Sequence, residues 1–207
     1  SGGFIWVYLG PKEGMTTFQP PAWAPSPDVK ASVVKIHTHC NWAQVLEGSI
    51  DSAHSSSLHS SNMPTAEVEN STATADSWLR PSKDKSPKLE IEMTDYGFQY
   101  AALRKPIKNE EKNYYIRTTI FIAPFTVLIP PNTEYKLAQI LFPIDDYNTM
   151  FYWVAWHPDP KKGISQDEWR RFCAAEVGTD LDENYIRNLN LGNWFKQDRD
   201  AMKKGHF

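Results

Sequence analysis

Residues 114 to 156 read Y-Y-I-R-T-T-I-F-I-A-P-F-T-V-L-I-P-P-N-T-E-Y-K-L-A-Q-I-L-F-P-I-D-D-Y-N-T-M-F-Y-W-V-A-W. β-branched and aromatic residues crowd this stretch in short runs, the composition that suits a pleated, half-buried surface. Tyr114 to Ile122 reads as one strand, and Phe125 to Ile129 as another that ends at Pro130-Pro131. Leu137 to Phe142 and Thr149 to Trp156 supply two more. Met150 to Trp156 is apolar throughout, which predicts cover on both faces of that strand. Upstream, Leu89, Ile91 and Met93 alternate with Glu90 and Glu92, the period of two that marks a strand. Five or six strands with short connections predict an antiparallel sheet rather than βαβ units.

Outward from this block, Ser32 to His39 alternates as a further strand. Val34, Ile36 and Thr38 fall on one side, and Val33, Lys35, His37 and His39 on the other. His37 and His39 point the same way but lack a third ligand at local spacing, so they read as an ordinary strand edge. Phe4 to Leu9 predicts a short strand ended by Gly10-Pro11, and Pro20, Pro21, Pro25 and Pro27 form an extended connection. On the other side, Ser165 to Glu168 is a capping box followed by Trp169, Phe172 and Cys173 at helical spacing. Cys173 there reads as a packed small apolar residue, not a nucleophile. Thr179 to Leu191 predicts a second short helix. Ser60 to Lys88 is polar and long enough to be a flap near a pocket mouth.

The chain has 207 residues, enough for one well-packed domain. With 22 Lys+Arg against 25 Asp+Glu and no basic block, nothing points to nucleic acid. No apolar run approaches the roughly 20 residues of a spanning helix, so nothing points to a membrane. Cys40 and Cys173 are too few for a disulfide scaffold, which fits a reducing cytoplasm.

Chemistry-bearing residues concentrate in Cys40 to His59, C-N-W-A-Q-V-L-E-G-S-I-D-S-A-H-S-S-S-L-H. At about 100° per residue, a helix here places Trp42, Val45, Leu46, Ile50 and Ala53 on one side. Gln44, Glu47, Asp51 and His54 then form a polar stripe on the other. His59 lies about 140° from His54 on the same wheel, so the two rings converge only if the helix loosens or ends between them. Ser55 to Ser57, weak in helix interiors, is the expected place. Two imidazoles and a nearby carboxylate suit a divalent transition metal and, with positions left open, non-haem Fe(II), although on pattern alone such a stripe reads more readily as a solvated face.

N-W-x-Q-x-x-E-G-x-x-D-x-x-H-x4-L-H, from Asn41 to His59, resembles the mononuclear iron motif of Rieske-type aromatic-ring-hydroxylating oxygenase α subunits, especially the phthalate 4,5-dioxygenase group. The resemblance implies that His54 and His59 ligate the iron and that Asp51 bridges a ligand histidine to a neighbouring subunit's Rieske cluster. It gives Asn41, Gln44 and Glu47 supporting roles around the site. It also implies an aromatic, carboxylated substrate, O2, and NAD(P)H electrons delivered through a flavin and iron-sulfur reductase, in a homotrimer. The implied fold is α+β, of the helix-grip (START/Bet v1-like) kind, with an antiparallel sheet wrapped around helices.

S-G-G-F-I-W-V-Y-L-G-P at the start resembles the segment leaving the Rieske domain of that family, so residues 1–31 read as that segment and a Pro-rich linker. Residues 32–207 read as the catalytic domain, with a polar insert at 60–88. No C-x-H with a downstream C-x-x-H occurs, and the resemblance implies that the 2Fe-2S cluster is held by an N-terminal part outside this sequence. N-W-F-K-Q-D-R-D near the end resembles a family segment that precedes the aspartate ligand. That places the third ligand beyond Phe207, with Asp198 as the in-chain alternative. A metal-free domain binding a hydrophobic ligand, or an inactive fragment, is the competing reading.

Overall fold

Short runs of β-formers, each broken by Gly, Pro or Asp, fold as the seven strands of one sheet. The computed structural model describes residues 4–22, 29–59, 80–130 and 134–205. The strands are β1 (Lys30–Thr38), β2 (Lys88–Thr94), β3 (Gly97–Arg104), β4 (Tyr115–Ile122), β5 (Thr126–Leu128), β6 (Lys136–Pro143) and β7 (Thr149–His157). Their order across the sheet is β1-β7-β6-β5-β4-β3-β2, antiparallel at every step. β2 to β7 is thus a plain meander, and β1 joins it beside β7. β1 and β2 occupy opposite edges, and residues 39–59 after β1 cross over β6 and β5 to β3, a crossing that carries the candidate site.

Register decides what faces the crossing. Tyr100, Ala102 and Arg104 of β3 stand opposite Thr119, Arg117 and Tyr115 of β4 and share a face with them. Towards β1 the same face continues through Val127, Gln139, Leu137 and Ala155 to Val34 and Ile36. Helix α1 (Trp42–Ile50) lies against β6 and β5, and α2 (Gln166–Phe172) against β1. Under α2, Val34, Ile36, Leu137 and Ala155 pack with Trp169 and Cys173. The Trp169 ring is fully buried, its Nε1 donates to Trp153 O at 3.0 Å, and it stacks on Phe172 at 5.4 Å. The opposite face has a smaller core of Ala138, Ile140 and Val154, against which Phe4, Tyr152 and Trp156 pack.

The outer edge of β1 is covered by a side chain. Gln166 Oε1 accepts from Val33 N at 2.8 Å, and Gln166 Nε2 donates to Val33 O at 2.7 Å, as a neighbouring strand would. Farther along, His37 N donates to Tyr185 O at 2.8 Å. Edge groups satisfied in this way cannot template another chain.

The helix-grip expectation is not met. α1 has nine residues, α2 seven and α3 (Arg199–Lys203) five. A nine-residue helix is about 14 Å long, whereas seven strands span about 29 Å, so no helix among the described residues can be gripped by the sheet. Among the described residues the architecture is α+β: an antiparallel seven-stranded sheet with short helices only.

Further differences have local causes. β3 escapes the sequence reading because G-F-Q-Y-A-A-L-R has no clean alternation, although Asp95-Tyr96 ahead of Gly97 is a turn signal. Phe4 to Leu9 forms no strand. Thr179 to Leu191 is not a helix but a set of turns, because its short polar side chains bind nearby backbone. Asp182 Oδ1 accepts from Asn184 N and Ile186 N, and Asn188 Nδ2 donates to Thr179 O. Residues 60–79, most of the polar insert, lie outside the described residues, as do Pro25 and Pro27. Among the described residues no helix is long and apolar enough to cross a membrane.

Candidate functional site

α1 begins at Asn41, whose side chain accepts from Ala43 N at 2.9 Å and donates to Asp146 O at 2.9 Å. The helix start is thereby pinned to the β6–β7 turn. α1 ends at Ile50, earlier than the polar stripe requires. Asp51 is extended (φ −78°, ψ 112°), and its carboxylate folds back on the following turn. Oδ1 accepts from Ala53 N at 2.7 Å and Oδ2 from His54 N at 3.2 Å. Gly48 and Ser49 just before are weak helix formers, and this aspartate competes for the backbone groups that would continue the helix. The expected loosening at Ser55 to Ser57 therefore comes four residues early, at Asp51.

After this turn, His54–Ser56 is a single 3-10 turn. It brings the rings of His54 and His59 together edge to face, with centroids 5.2 Å apart and planes at 68°. His54 Nδ1 lies 3.4 Å from Asp51 Oδ2 but is not aligned for a hydrogen bond, so this buried nitrogen has no partner. Burial and then the neighbouring His54 lower the pKa of His59, favouring its neutral, metal-binding form. Neutral imidazole donors with a carboxylate beside them fit Fe(II) at two ligand positions. Among the described residues no set of three or more His, Cys, Asp and Glu side chains converges on a metal-sized point.

β3 supports this turn from beneath. Tyr100, buried, donates its hydroxyl to Ile50 O. Arg104, 3% exposed, donates Nη2 to Ser52 O at 2.6 Å, while its Nε and Nη1 are buried without a partner. Arg117 stands across the ladder on the same face and donates to Pro130 O at 2.9 Å. Burial first, and then the charge of Arg117, lower the pKa of Arg104; burial also lowers that of Arg80. Tyr100 and Arg80 were not singled out by the sequence. Arg104 and Arg117 lie in or near strands where the sequence leaves their side-chain directions open and neither assigned, because the burial of Arg104 depends on strands far away in the chain.

The remaining sequence-derived residues sit elsewhere. Gln44 accepts from Cys40 Sγ at 3.1 Å, and with Asn41 it lines a cleft at the start of α1 with His39, Asp146, Tyr147 and Asn148. Glu47 is exposed. Among the described residues none of Asn41, Gln44 and Glu47 hydrogen-bonds to Asp51, His54 or His59. Asp198 caps α3, its Oδ1 accepting from Asp200 N at 3.1 Å and Ala201 N at 2.9 Å.

With that geometry in place, the chain belongs to the Rieske-type ring-hydroxylating oxygenase family, and within it the model described as LigXa C-terminal domain like matches residues 7–207. It is similar to the phthalate 4,5-dioxygenase oxygenase subunit of Pseudomonas putida, with 52% identity over 206 residues, covering 100% of this chain and 47% of the relative. It is also similar to the 3-chlorobenzoate-3,4-dioxygenase oxygenase subunit of Comamonas testosteroni, with 30% identity over 156 residues, covering 74% of this chain and 34% of that one. The chain thus spans less than half the length of these relatives. Among solved structures, a quaternary ammonium Rieske monooxygenase aligns at TM-score 0.44 and 14% identity over 70% of this chain and 36% of that one. Dicamba monooxygenase bound to 3,6-dichlorosalicylic acid aligns at TM-score 0.44 and 10% identity over 88% and 54%.

Proposed function

We propose that this domain holds the mononuclear iron centre of an O2-dependent oxygenase that hydroxylates a carboxylated aromatic ring. Residues 1–31 are then the segment leaving a Rieske domain, and residues 32–207 the catalytic domain. His54 and His59 are two iron ligands, and a carboxylate beyond Phe207 is the third. Asp51 links His54 to the 2Fe-2S Rieske cluster of a neighbouring subunit in a homotrimer, with NAD(P)H electrons arriving through a reductase. The observation that carries this reading is the convergence of the His54 and His59 rings, 5.2 Å apart, beside the Asp51 carboxylate.

Iron bound there supplies the oxygen chemistry, and the protein supplies geometry and charge. Asp51 Oδ2, 3.4 Å from His54 Nδ1, would accept that ring's N–H with iron held at the other nitrogen, which would fix its tautomer. Burial, and then the neighbouring His54, lower the pKa of His59, which favours the neutral form that can ligate. Arg117 places positive charge on the sheet face beneath the site, across the ladder from Ala102. A guanidinium pairs two-pronged with a carboxylate, which supports a carboxylated substrate.

The test uses the full-length enzyme with its cluster, reductase and iron. His54→Ala and His59→Ala should each lose the iron of the mononuclear site and with it all hydroxylation of an aromatic carboxylate such as phthalate. Asp51→Asn should keep iron yet cut turnover by two orders of magnitude or more. Full iron content in both histidine variants, or normal turnover of Asp51→Asn, removes the assignment.

A further inference from the structure

We infer that Tyr100 and Arg104 are positioning residues that set the Asp51 carboxylate against His54. This inference rests on the function proposed above, which gives Asp51 its role. Both side chains rise from one strand, four residues apart and therefore on one face, and both are buried. Their acceptors are the carbonyls on either side of Asp51, those of Ile50 and Ser52. Ile50 O is one of the last helix carbonyls, which have no partner within the helix.

A peptide plane carries both a carbonyl and the next N–H, so fixing one fixes the other. Tyr100 on Ile50 O fixes the plane that contains Asp51 N, and so the direction in which Asp51 leaves the helix. Arg104 on Ser52 O fixes the plane that contains Ala53 N, and Ala53 N donates to Asp51 Oδ1 at 2.7 Å. A continuous path therefore runs from the guanidinium through one peptide group to the carboxylate. The cation polarises that peptide and strengthens its N–H as a donor, as in any chain of hydrogen bonds. The other oxygen, Oδ2, is left facing His54. Without the two donors, either plane can rotate, and the carboxylate moves with it.

Both sites lie at the interior of the crossing, not at the cleft by Asn41, so this function is separable from the anchoring of the α1 start. In the full-length, iron-loaded enzyme, Tyr100→Phe removes one donor, Arg104→Met the other, and Arg104→Lys keeps a cation and a shorter donor. Three readouts are needed: mononuclear iron content, the rate at which the reduced Rieske cluster is oxidised on mixing with substrate and O2, and kcat against KM. We expect iron to be retained in Tyr100→Phe and Arg104→Met, while cluster oxidation and kcat fall about tenfold or more with KM unchanged. Arg104→Lys should restore most of the rate.

Wild-type cluster oxidation in folded, iron-loaded Tyr100→Phe and Arg104→Met overturns the inference, and so does a higher KM at unchanged kcat, which would make Arg104 a substrate contact. If Arg104→Met does not fold, Tyr100→Phe decides by the same criteria. Asp51→Asn is run alongside. If it turns over normally, the underlying reading fails; if it is silent while Tyr100→Phe and Arg104→Met are normal, only the present inference fails.

Discussion

Gly97 closes the two-residue turn between β2 and β3 with φ at +147°, and a Cβ there would lie 2.4 Å from Phe121 O. No flexible side chain can yield to that contact, because the obstruction is backbone of the next strand. Gly97→Ala should therefore cost at least ~1 kcal/mol, read as a lower denaturant midpoint. The loss should reach the site, since β3 carries Tyr100 and Arg104 only three and seven residues on. Asp51 shows the same dependence of one residue on its neighbours. Its identity suits a helix stripe, but the bonds its carboxylate takes from Ala53 N and His54 N end the helix there.

Among the elements, α2 is the one whose sequence and structure agree most closely. Ser165 Oγ accepts from Glu168 N, and Glu168 Oε2 accepts from Ser165 N at 3.1 Å, so both halves of the capping box form. Hydrogen bonds from Ser165 lower the Glu168 pKa from its ordinary 4.5. A carboxylate depressed on folding stabilises above its unfolded value, and that contribution is lost as pH falls through the folded one. The stability gap between wild type and Glu168→Gln should thus be open at pH 7, narrow as pH falls below 4.5 and close as it falls through the lower folded value, as followed by urea midpoints. Trp169 one residue later is the larger anchor, fully buried and in contact with the rings of Tyr135, Trp153 and Phe172. Trp169→Ala should cost about 3–5 kcal/mol by thermal or denaturant unfolding. α1 differs in having no buried residue, and it is held by its ends, at Asn41 and at the carbonyls of Ile50 and Ser52.

Across the molecule, stability is graded from one side of the sheet to the other. β6 and β7 lie between neighbours and carry much of the core, whereas among the described residues β2 pairs only with β3 and leaves Leu89, Ile91 and Met93 exposed. β1, though also an edge, is covered by Gln166 and by Tyr185. Hydrogen exchange followed by mass spectrometry should find β2 amides exchanging well before those of β6 and β7, with β1 nearer the protected group. Equal protection in β1 and β2 would mean that the Gln166 contacts do not hold in solution.

Much of this was legible from residues close together in the chain. Alternation marked β1 and β2, runs of β-formers marked the β4 to β7 stretches, and the capping box marked α2, while the spacing of Asp51, His54 and His59 raised the proposal that chemistry gathers there. Those signals are local, set by the strand and helix periods and by the few residues around a cap. What only the tertiary structure decided is non-local: that β1 lies beside β7, that β3 exists in phase, and that helices too short to be gripped merely cover one face. It also decided that Tyr100 and Arg104 reach carbonyls about fifty residues earlier in the chain. Burial of an arginine depends on what packs over it from elsewhere in the chain, and no period in its own strand records that.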